Sequence, residues 1–351
     1  MNIGKVFEVP NRWVKADGPQ ADIVFSCRVR LARNLRDFVF PPWGKKSHLK
    51  EAARLILKTI ENSDYFKNHW VFDMNRISLL EREFLLERHL ISKEFTRGDE
   101  TQFLVTVPGE TISIMVNEED HLRIQTILSG LQLMQAWEIC NSVDDRLDNS
   151  LEYAFSPKFG YLTSCLTNVG TGLRASCMLH LSALVRTSRI DDVLKNVSKL
   201  GLVTRGFYGE GSRAQGDFFQ ISNQVTLGLQ EKEIISTVSR VVRQVVKEEK
   251  NAREYLMQHS SLKVMDEVGR AYGILSNAHL ISYEEAMVLL SKLRLGVWMG
   301  IIPYSISVDT INELFISIGP AQIQVSQGRR LSRTSRDKIR AKMIREKLSN
   351  A

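Results

Sequence analysis

The segment Ser26-Cys27-Arg28-Val29-Arg30 alternates polar and apolar side chains. If it forms a β-strand, Ser26, Arg28 and Arg30 project from one face, because strand side chains repeat every two residues. Two neighbouring arginines on one face are well suited to grip phosphate oxygens, since each guanidinium presents paired N–H donors. For this short segment alone, a solvated strand face is the other interpretation.

The segments around it predict an antiparallel α+β domain. Apolar residues at helical spacing predict one helix over residues 48–62 and another from Leu131 to Asn149. Alternating and apolar runs predict strands, with a hairpin turn at Pro108-Gly109. The predicted strands are Thr101–Val107, Thr111–Val116, Arg123–Leu128, Tyr161–Cys165, Leu202–Phe207 and Phe218–Val225.

After about residue 231 the strand patterns end and long helical patterns begin. The predicted helices cover residues 231–258, 261–275, 282–299, 308–318 and 334–348. We therefore expect an α+β domain over residues 1–255, with its core at 20–250, followed by an all-helical domain over 256–351.

The composition is that of a soluble globular protein, with 43% hydrophobic and 25% charged residues. The most apolar stretch, Leu295–Ile302, is far shorter than the roughly 20 residues needed to span a bilayer. The first residues carry no apolar signal region, so we expect a cytoplasmic protein without a membrane partner. The four cysteines form no CxxC pair, and we expect free thiols and no metal site.

The positive charge is confined to the C-terminus. Residues 329–351 hold nine Lys or Arg and two acidic residues, which accounts for the whole net charge of +7. A basic C-terminal helix is indicated, while a nucleic-acid-binding body is not, and we expect no direct nucleic-acid partner. A binding module with a basic, nucleic-acid-binding tail remains one alternative function.

Three further segments are rich in polar side chains. The segment 117–123, NEEDHLR, follows an apolar strand, and a polar turn is one interpretation of it. A metal site is conceivable there, but its acidic residues are too consecutive to converge easily. The segment 163–174, TSCLTNVGTGLR, is interpreted as a strand-to-helix turn, where backbone N–H groups would suit an anion. The segment 205–212, RGFYGEGS, has the composition of a glycine-rich loop.

The stretch Gly170–Ala175 also fits the dinucleotide fingerprint GxGxxA, with Asp191 and Asp192 about twenty residues later. A dinucleotide-binding fold is therefore an alternative. Against it, the fingerprint lies among hairpin strands rather than in alternating β-α-β units. No Walker A sequence occurs in the chain.

Taken together, SxRxR at residue 26, NEEDHLRI at 117, SCxTNVGTGLRAS at 164 and RGxYGE at 205 resemble the catalytic domain of the phosphagen (guanidino) kinase family. The similarity covers about residues 20–250. The resemblance implies a phosphagen-kinase-like α+β fold, phosphotransfer from ATP with Mg²⁺, and a guanidino acceptor.

The resemblance also implies which residues bind ATP. Five arginines would clamp the phosphates, and His89 would contact the nucleotide. The implied ATP-binding residues are Ser26, Cys27, Arg28, Val29, Arg30, His89, Arg123, Arg174, Ala175, Ser176, Cys177, Met178, Arg205, Gly206, Phe207, Tyr208, Gly209 and Glu210.

A guanidinium has a pKa above 12 and must lose a proton as it reacts. By resemblance, Glu119 is assigned as the catalytic base, Glu210 as its orienting partner and Cys165 as the reactive cysteine. The chain departs from the family at Leu166, where the usual residue is proline; this change frees the backbone dihedral there and adds an N–H donor.

Two features resemble the bacterial protein-arginine kinases within this family. SxRxR begins at Ser26, so we expect no helical N-terminal domain of the metabolic kinases before it. Arg336-Asp337-x-x-Arg340-Ala341 matches their RDxxRA motif, which implies an allosteric phosphoarginine-binding site.

The resemblance further implies protein substrates with exposed arginines, marked for Clp-type degradation in a stress response. It also implies a zinc-binding activator and a Clp ATPase as partners. We expect a homodimer. A metabolic kinase of free arginine or another small guanidine is the remaining alternative.

Overall fold

The structure is a computed structural model, and it describes residues 3, 11–206, 215–302 and 306–349. Eight strands form one antiparallel sheet in the order β2-β3-β4-β5-β1-β8-β10-β9, and β6 and β7 form a separate pair. The strands are β1 (Val24–Arg33), β2 (Trp70–Asp73), β3 (Phe103–Thr106), β4 (Ile112–Val116), β5 (Leu122–Ser129), β6 (Phe155–Ser156), β7 (Gly160–Tyr161), β8 (Leu173–His180), β9 (Leu202–Arg205) and β10 (Phe218–Asn223).

The α-helices of the described residues flank this sheet and continue to the C-terminus. They are α1 (Lys46–Glu61), α2 (Leu79–Glu87), α3 (Leu133–Asp148), α4 (Ser182–Arg186), α5 (Ile190–Lys199), α6 (Glu231–Asn277), α7 (Tyr283–Trp298), α8 (Val308–Ser317), α9 (Pro320–Ser326) and α10 (Arg333–Ser349). The predicted α+β class, with an antiparallel sheet flanked by helices and a helical C-terminal region, is confirmed.

Most predicted strands are present, but one prediction is wrong. The segment after Gly172 is not a helix: Leu173–His180 forms strand β8, in the middle of the sheet between β1 and β10. Its side chains alternate between the two faces of the sheet, and Leu173, Ala175 and Cys177 are fully buried. The predicted strand at Tyr161–Cys165 is shorter than expected, with only Gly160–Tyr161 in β7.

The central strand β1 separates two environments. Its odd-numbered residues Cys27, Val29 and Leu31 are buried against the helices in the main hydrophobic core, together with residues of α1, α3 and α6. The strand pairs with β5 on one side and β8 on the other. The opposite face of the sheet therefore carries the even-numbered side chains of β1.

The helical C-terminal region packs directly against the sheet. Phe315 of α8 contacts the ring of Phe218 on β10, with centroids 4.9 Å apart. Arg294 of α7 is fully buried and donates to the carbonyl oxygens of Ala21 and Asp22 at 2.7 and 3.0 Å. This second hydrophobic core thus includes residues of the strands and of the C-terminal helices.

Helix α6 runs through the predicted domain boundary near residue 255. The sequence predicts two helices here, and the structure has one helical run interrupted by the non-helical residue Ser260 (φ −146°, ψ 24°). The short helix α9 is not predicted from the sequence.

Candidate active site

Five arginines lie on one face of the sheet. Arg28 and Arg30 project from β1, and Arg30 lies directly opposite Arg174 of β8. Arg123 of β5 lies opposite Ala32, so it shares the face of Arg30. Arg205 of β9 pairs with Gln220 of β10, which pairs with Met178 of β8, which in turn pairs with Ser26 of β1. Because paired residues project from the same face, Arg205 lies on this face as well. The five predicted phosphate-clamp arginines are therefore brought together.

Mutual repulsion is the main electrostatic feature of this face. Burial, and then the charges of Arg123, Arg174 and Arg205, lower the pKa of Arg28 to about 9. Burial and three neighbouring arginines also lower the pKa of Arg30, while Glu118 acts in the opposite direction. Because an arginine side chain stays protonated in proteins, the shifts mean that the charges oppose one another at a buried site. A polyanion such as a triphosphate would offset this repulsion.

A small, partly open pocket lies beside the arginines. Five of the predicted ATP-binding residues line it, which are Ser26, Arg28, His89, Ser176 and Met178. The remaining lining residues are Trp13, Phe25, Ile127 and Gln220. An apolar wall next to a cationic face suits a heterocycle that carries phosphates. Neither Trp13 nor Gln220 is predicted from the sequence as a site residue. Only Gln220 carries a signal, because it is a polar residue among apolar ones in a predicted strand.

His89 has an unusual backbone conformation with φ at +58°. Burial, and then Arg28, lower the pKa of its imidazole to about 3, so the ring is neutral at physiological pH. Its ring meets that of Trp13 edge-on at 5.6 Å, and its carbonyl oxygen accepts from Gln125 Nε2 at 2.9 Å. Left-handed non-glycine residues that are held by their surroundings are common at functional sites.

Four predicted ATP-binding residues point away from this face. Cys27, Val29, Ala175 and Cys177 are buried in the main core, on the helix-covered side of the sheet. Burial raises the pKa of Cys27 to about 12 and also raises that of Cys177, so both stay as thiols. Their side chains do not reach the arginine face, because successive strand residues alternate in direction.

An acidic loop follows β4 at the edge of the arginine face. Glu118 forms an ion pair with Arg123 at 2.8 Å, whereas Glu119 is exposed. Although Glu119 reaches solvent, partial desolvation by the surrounding loop, and then the charges of Asp120 and Glu118, raise the pKa of its carboxyl group. A carboxylate with a raised pKa that reaches solvent is suited to accept a proton.

The acidic loop is hydrogen-bonded to the loop that contains Cys165. Asp120 Oδ1 accepts from Asn34 Nδ2 at 2.6 Å and from the Ser164 N–H at 2.7 Å. Cys165 follows directly, and its Sγ lies 3.0 Å from Thr167 Oγ1. The structure therefore brings the loops of two predicted catalytic residues, Glu119 and Cys165, to the same corner.

The loop from Cys165 to Gly172 is held on several sides. Thr226 Oγ1 donates to the carbonyl oxygens of Thr167 (3.0 Å) and Val169 (2.7 Å). Arg33 Nη1 donates to the Thr171 carbonyl oxygen at 2.9 Å. Gly172 has a φ of +64°, and a Cβ there would lie 2.6 Å from the Ala32 carbonyl oxygen, so glycine is required. Because strand β8 follows, the anion site predicted at a helix start is not formed here.

The glycine-rich loop after β9, which contains Glu210, is described only at its start. Gly206 is buried directly after β9. Phe207, Tyr208, Gly209 and Glu210 lie outside the described residues, so their predicted roles stay predictions.

The C-terminal motif lies on α10. Arg340 is 1% exposed and donates to the carbonyl oxygens of Ile281 and Ile318, both at 2.9 Å, and to Asp337 Oδ1 at 2.5 Å. Ala341 is buried in the second core. Arg336 is half-buried and donates to the Leu331 carbonyl oxygen at 3.1 Å. Arg340 thus stabilises the helical region itself, while Arg336 is the more accessible arginine.

Two family models match the chain. Residues 51–252 match the ATP:guanido phosphotransferase C-terminal catalytic domain, and residues 261–351 match the protein-arginine kinase McsB C-terminal domain.

Close relatives match over almost the whole length. The protein-arginine kinase of Brevibacillus brevis is 45% identical over 96% of this chain and 95% of its own. That of Symbiobacterium thermophilum is 46% identical over 98% of each chain.

Solved structures share the fold. A lombricine kinase has a TM-score of 0.59 at 23% identity, covering 70% of each chain. The duplicated taurocyamine kinase of Schistosoma mansoni has a TM-score of 0.61 at 24% identity, covering 71% of this chain and 36% of its own. The arginine face, the matched domains and the close relatives agree: this chain belongs to the protein-arginine kinase family, whose catalytic domain is that of the ATP:guanido phosphotransferases.

Proposed function

We propose that this chain transfers the γ-phosphate of ATP to the guanidino group of arginine side chains in proteins. The observation that carries the proposal is the cluster of five arginines on one sheet face, next to the exposed carboxylate of Glu119. Phosphoryl transfer needs charge neutralisation and an aligned acceptor more than covalent help from the protein. The close relatives named protein-arginine kinases support a protein acceptor.

ATP is proposed to bind with its base in the pocket between Trp13 and Met178 and with its phosphates on the arginine face. Ser26, Ser176 and His89 line this pocket and can contact the nucleotide. The arginines would stabilise the negative charge that spreads over the transferred group in the transition state.

Mg²⁺ is proposed to accompany ATP. No group of three or more His, Cys, Asp or Glu side chains within the described part of the chain is placed to hold a metal. Magnesium that binds with nucleotides takes most of its ligands from phosphates and water, with one or two carboxylates at most.

The acceptor guanidinium is proposed to approach Glu119, which would take its proton during transfer. A carboxylate pairs with a guanidinium in a two-pronged geometry, so it can orient the acceptor as well. Glu210 is proposed as the second orienting carboxylate, and Cys165 as an adjoining catalytic residue. Glu119 is assigned as the base because it is exposed, whereas Glu118 is engaged by Arg123.

The C-terminal helices are proposed to form a separate domain, over residues 256–351, with an allosteric phosphoarginine site at Arg336, Asp337, Arg340 and Ala341. Of the two arginines of this motif, the half-buried Arg336 is the one that can better reach a ligand. Exposed apolar side chains on α6, which include Tyr255, Leu262 and Met265, support a homodimer contact.

The biological setting is proposed from the family. The products would be marked for Clp-type degradation in a cytoplasmic stress response, with a zinc-binding activator and a Clp ATPase as partners. No helix of the described residues is both long and apolar enough to cross a membrane.

A phosphate-transfer assay tests the proposed function. The chain is incubated with γ-labelled ATP, an arginine-rich unfolded protein and free arginine, and label is separated into protein and small-molecule fractions. We expect acid-labile label on the protein. Label on free arginine alone would instead indicate a metabolic guanidino kinase, and no label on either would refute the proposal.

A further inference from the structure

One carboxylate joins the C-terminal region to the wall of the nucleotide pocket. Glu87, the last residue of α2, accepts from the backbone N–H groups of Ala321 and Gln322, each at 2.9 Å. These N–H groups belong to the first turn of α9, where no helix carbonyl is available to them. The contact spans 234 and 235 residues of sequence, so it forms only in the folded chain.

The fit between Glu87 and α9 is close. Gly319 precedes α9 with an ordinary φ of −56°, yet a Cβ at this position would overlap Glu87 Oε2. Gln322 Nε2 also donates to the Phe84 carbonyl oxygen at 3.0 Å, and Ala321 packs in the core formed around α2. Helix α9 is therefore part of the packing that supports α2.

The other end of this turn is fixed by the C-terminal helix. Arg340 donates to the carbonyl oxygen of Ile318, the residue before Gly319, at 2.9 Å. The turn between α8 and α9 is thus held by Arg340 on one side and by Glu87 on the other.

His89 lies two residues after Glu87 and lines the pocket in its left-handed conformation. That conformation is unfavourable for a non-glycine residue and persists only where neighbours enforce it. Arg88, between the two, is buried and donates to Glu110 Oε1 at 2.6 Å. The two residues immediately before His89 are therefore held by different parts of the chain: Glu87 by α9, and Arg88 by Glu110.

We propose that Glu87 is a positioning residue for the nucleotide pocket: by accepting both α9 N–H groups, it fixes the end of α2 so that His89 is presented to the ligand. Helix α9 of the C-terminal region is then a structural component of the pocket. The inference rests on the proposed function only for the identity of the ligand, which is ATP.

Two substitutions perturb this contact from opposite sides. Glu87→Gln keeps the shape but replaces one accepting oxygen with an NH₂ group, which repels an α9 N–H. Gly319→Ala adds a Cβ that displaces the carboxylate without straining the backbone. Glu83→Gln, one turn earlier on α2 and exposed, is the matched control.

The test compares ATP affinity by calorimetry, and KM and kcat in the labelled-ATP assay, with folding checked by circular dichroism and thermal unfolding. We expect each substitution to raise Kd and KM for ATP by about 5- to 10-fold, with kcat changed less than about 2-fold, since one hydrogen bond to a helix N–H is lost. The double variant should be no worse than the weaker-binding single variant, because both act on one contact. Glu83→Gln should match wild type.

Unchanged ATP affinity in a folded Glu87→Gln variant would overturn the inference, and so would fully additive effects in the double variant. A lowered kcat at constant KM would also overturn it, because it would place Glu87 in the chemical step. If wild type binds ATP but labels no protein, the proposed function fails while the comparison of ATP affinities still decides the role of Glu87.

Discussion

Arg30 of β1 lies directly opposite Arg174 of β8, so two like charges occupy paired positions in the middle of the sheet. Opposed like charges destabilise neighbouring strands. Arg28 and Arg123 add to the repulsion, and the Nε of Arg30 is buried with no hydrogen-bond partner among the described residues. Repulsion between these arginines lowers the stability of the ligand-free sheet, while the same charges suit it to bind an anion.

Replacing Arg30 should therefore move activity and stability in opposite directions. We expect Arg30→Met to lower kcat/KM at least about 100-fold, as for loss of a transition-state charge contact. Without ligand, its free energy of unfolding should stay level or rise by roughly 0.5–1 kcal/mol. Denaturant unfolding and turnover assays measure the two effects. Arg36→Met, at an exposed ion pair with Asp37, is the control and should leave turnover unchanged. A marked loss of ligand-free stability in Arg30→Met would contradict the repulsion argument.

Nucleotide should stabilise the fold through its phosphates. At an ATP concentration of 100 times Kd, binding adds about 2.7 kcal/mol, which raises the melting temperature by several degrees. Adenosine, which lacks phosphates, should give a far smaller shift at equal concentration, and added salt should weaken the ATP effect because it screens charge. Thermal scans with ATP, adenosine and tripolyphosphate test this. Equal shifts from adenosine and ATP would show that the arginine face does not hold the phosphates.

Glu119→Gln should abolish proton transfer but leave ATP binding intact. We expect kcat to fall by about 10²- to 10⁴-fold, the usual contribution of a general base, with ATP affinity by calorimetry unchanged. A variant with normal turnover would refute the assignment of the base.

The pH profile gives a second test of Glu119. The base acts as a carboxylate, and burial and two acidic neighbours raise its pKa above the ordinary 4.5. Turnover should therefore decline as the pH falls through this raised pKa, at a higher pH than for an ordinary glutamate. The residual turnover of Glu119→Gln should not decline in this way as the pH falls. If the same decline at low pH persists in the variant, a group other than Glu119 causes it.

Leu166→Pro should be tolerated and modestly stabilising. Leu166 is 86% exposed at the first position of a 3-10 turn, and Cys165 before it has φ −97° and ψ 125°. That conformation is the one a residue preceding proline prefers, and proline fits a first helical position. We expect about 0.4–1 kcal/mol of added stability, measured by denaturant unfolding, because the unfolded chain loses freedom. Turnover should be equal or higher. A loss of stability would mean that the fold needs the N–H group or the backbone freedom that leucine has at position 166 and proline lacks.

The two arginines of the C-terminal motif should behave differently. Arg340→Ala leaves two buried carbonyl oxygens without a donor, and we expect a loss of about 2–4 kcal/mol in the free energy of unfolding. Arg336→Ala should cost less than about 1 kcal/mol, since its side chain is half-buried. It is therefore the cleaner test of the proposed phosphoarginine site. Calorimetry with free phosphoarginine should show about 10-fold weaker binding, and unchanged affinity would remove that role from Arg336.

Local sequence was sufficient for many elements and misleading at one. The hairpin at Pro108-Gly109 and the helices α1, α3 and α7 follow from patterns that neighbouring residues decide. The sequence predicts a helix where strand β8 lies, because Leu173–His180 is buried on both sides of the sheet and a short apolar run rich in Ala, Leu and Met fits either element. Its partners β1 and β10 are distant in sequence, so no local pattern reveals them.

By itself, the sequence determined the α+β class, the arginines and carboxylates that the chemistry needs, and the concentration of basic residues near the C-terminus. The tertiary structure alone decided that Arg28, Arg30, Arg123, Arg174 and Arg205 share one face, that Cys27 and Cys177 are excluded from it, and that Glu87 meets α9. The physical reason is that strand register and helix docking depend on hydrogen bonds and packing between residues far apart in the chain. A one-residue change of register would turn each arginine to the opposite face.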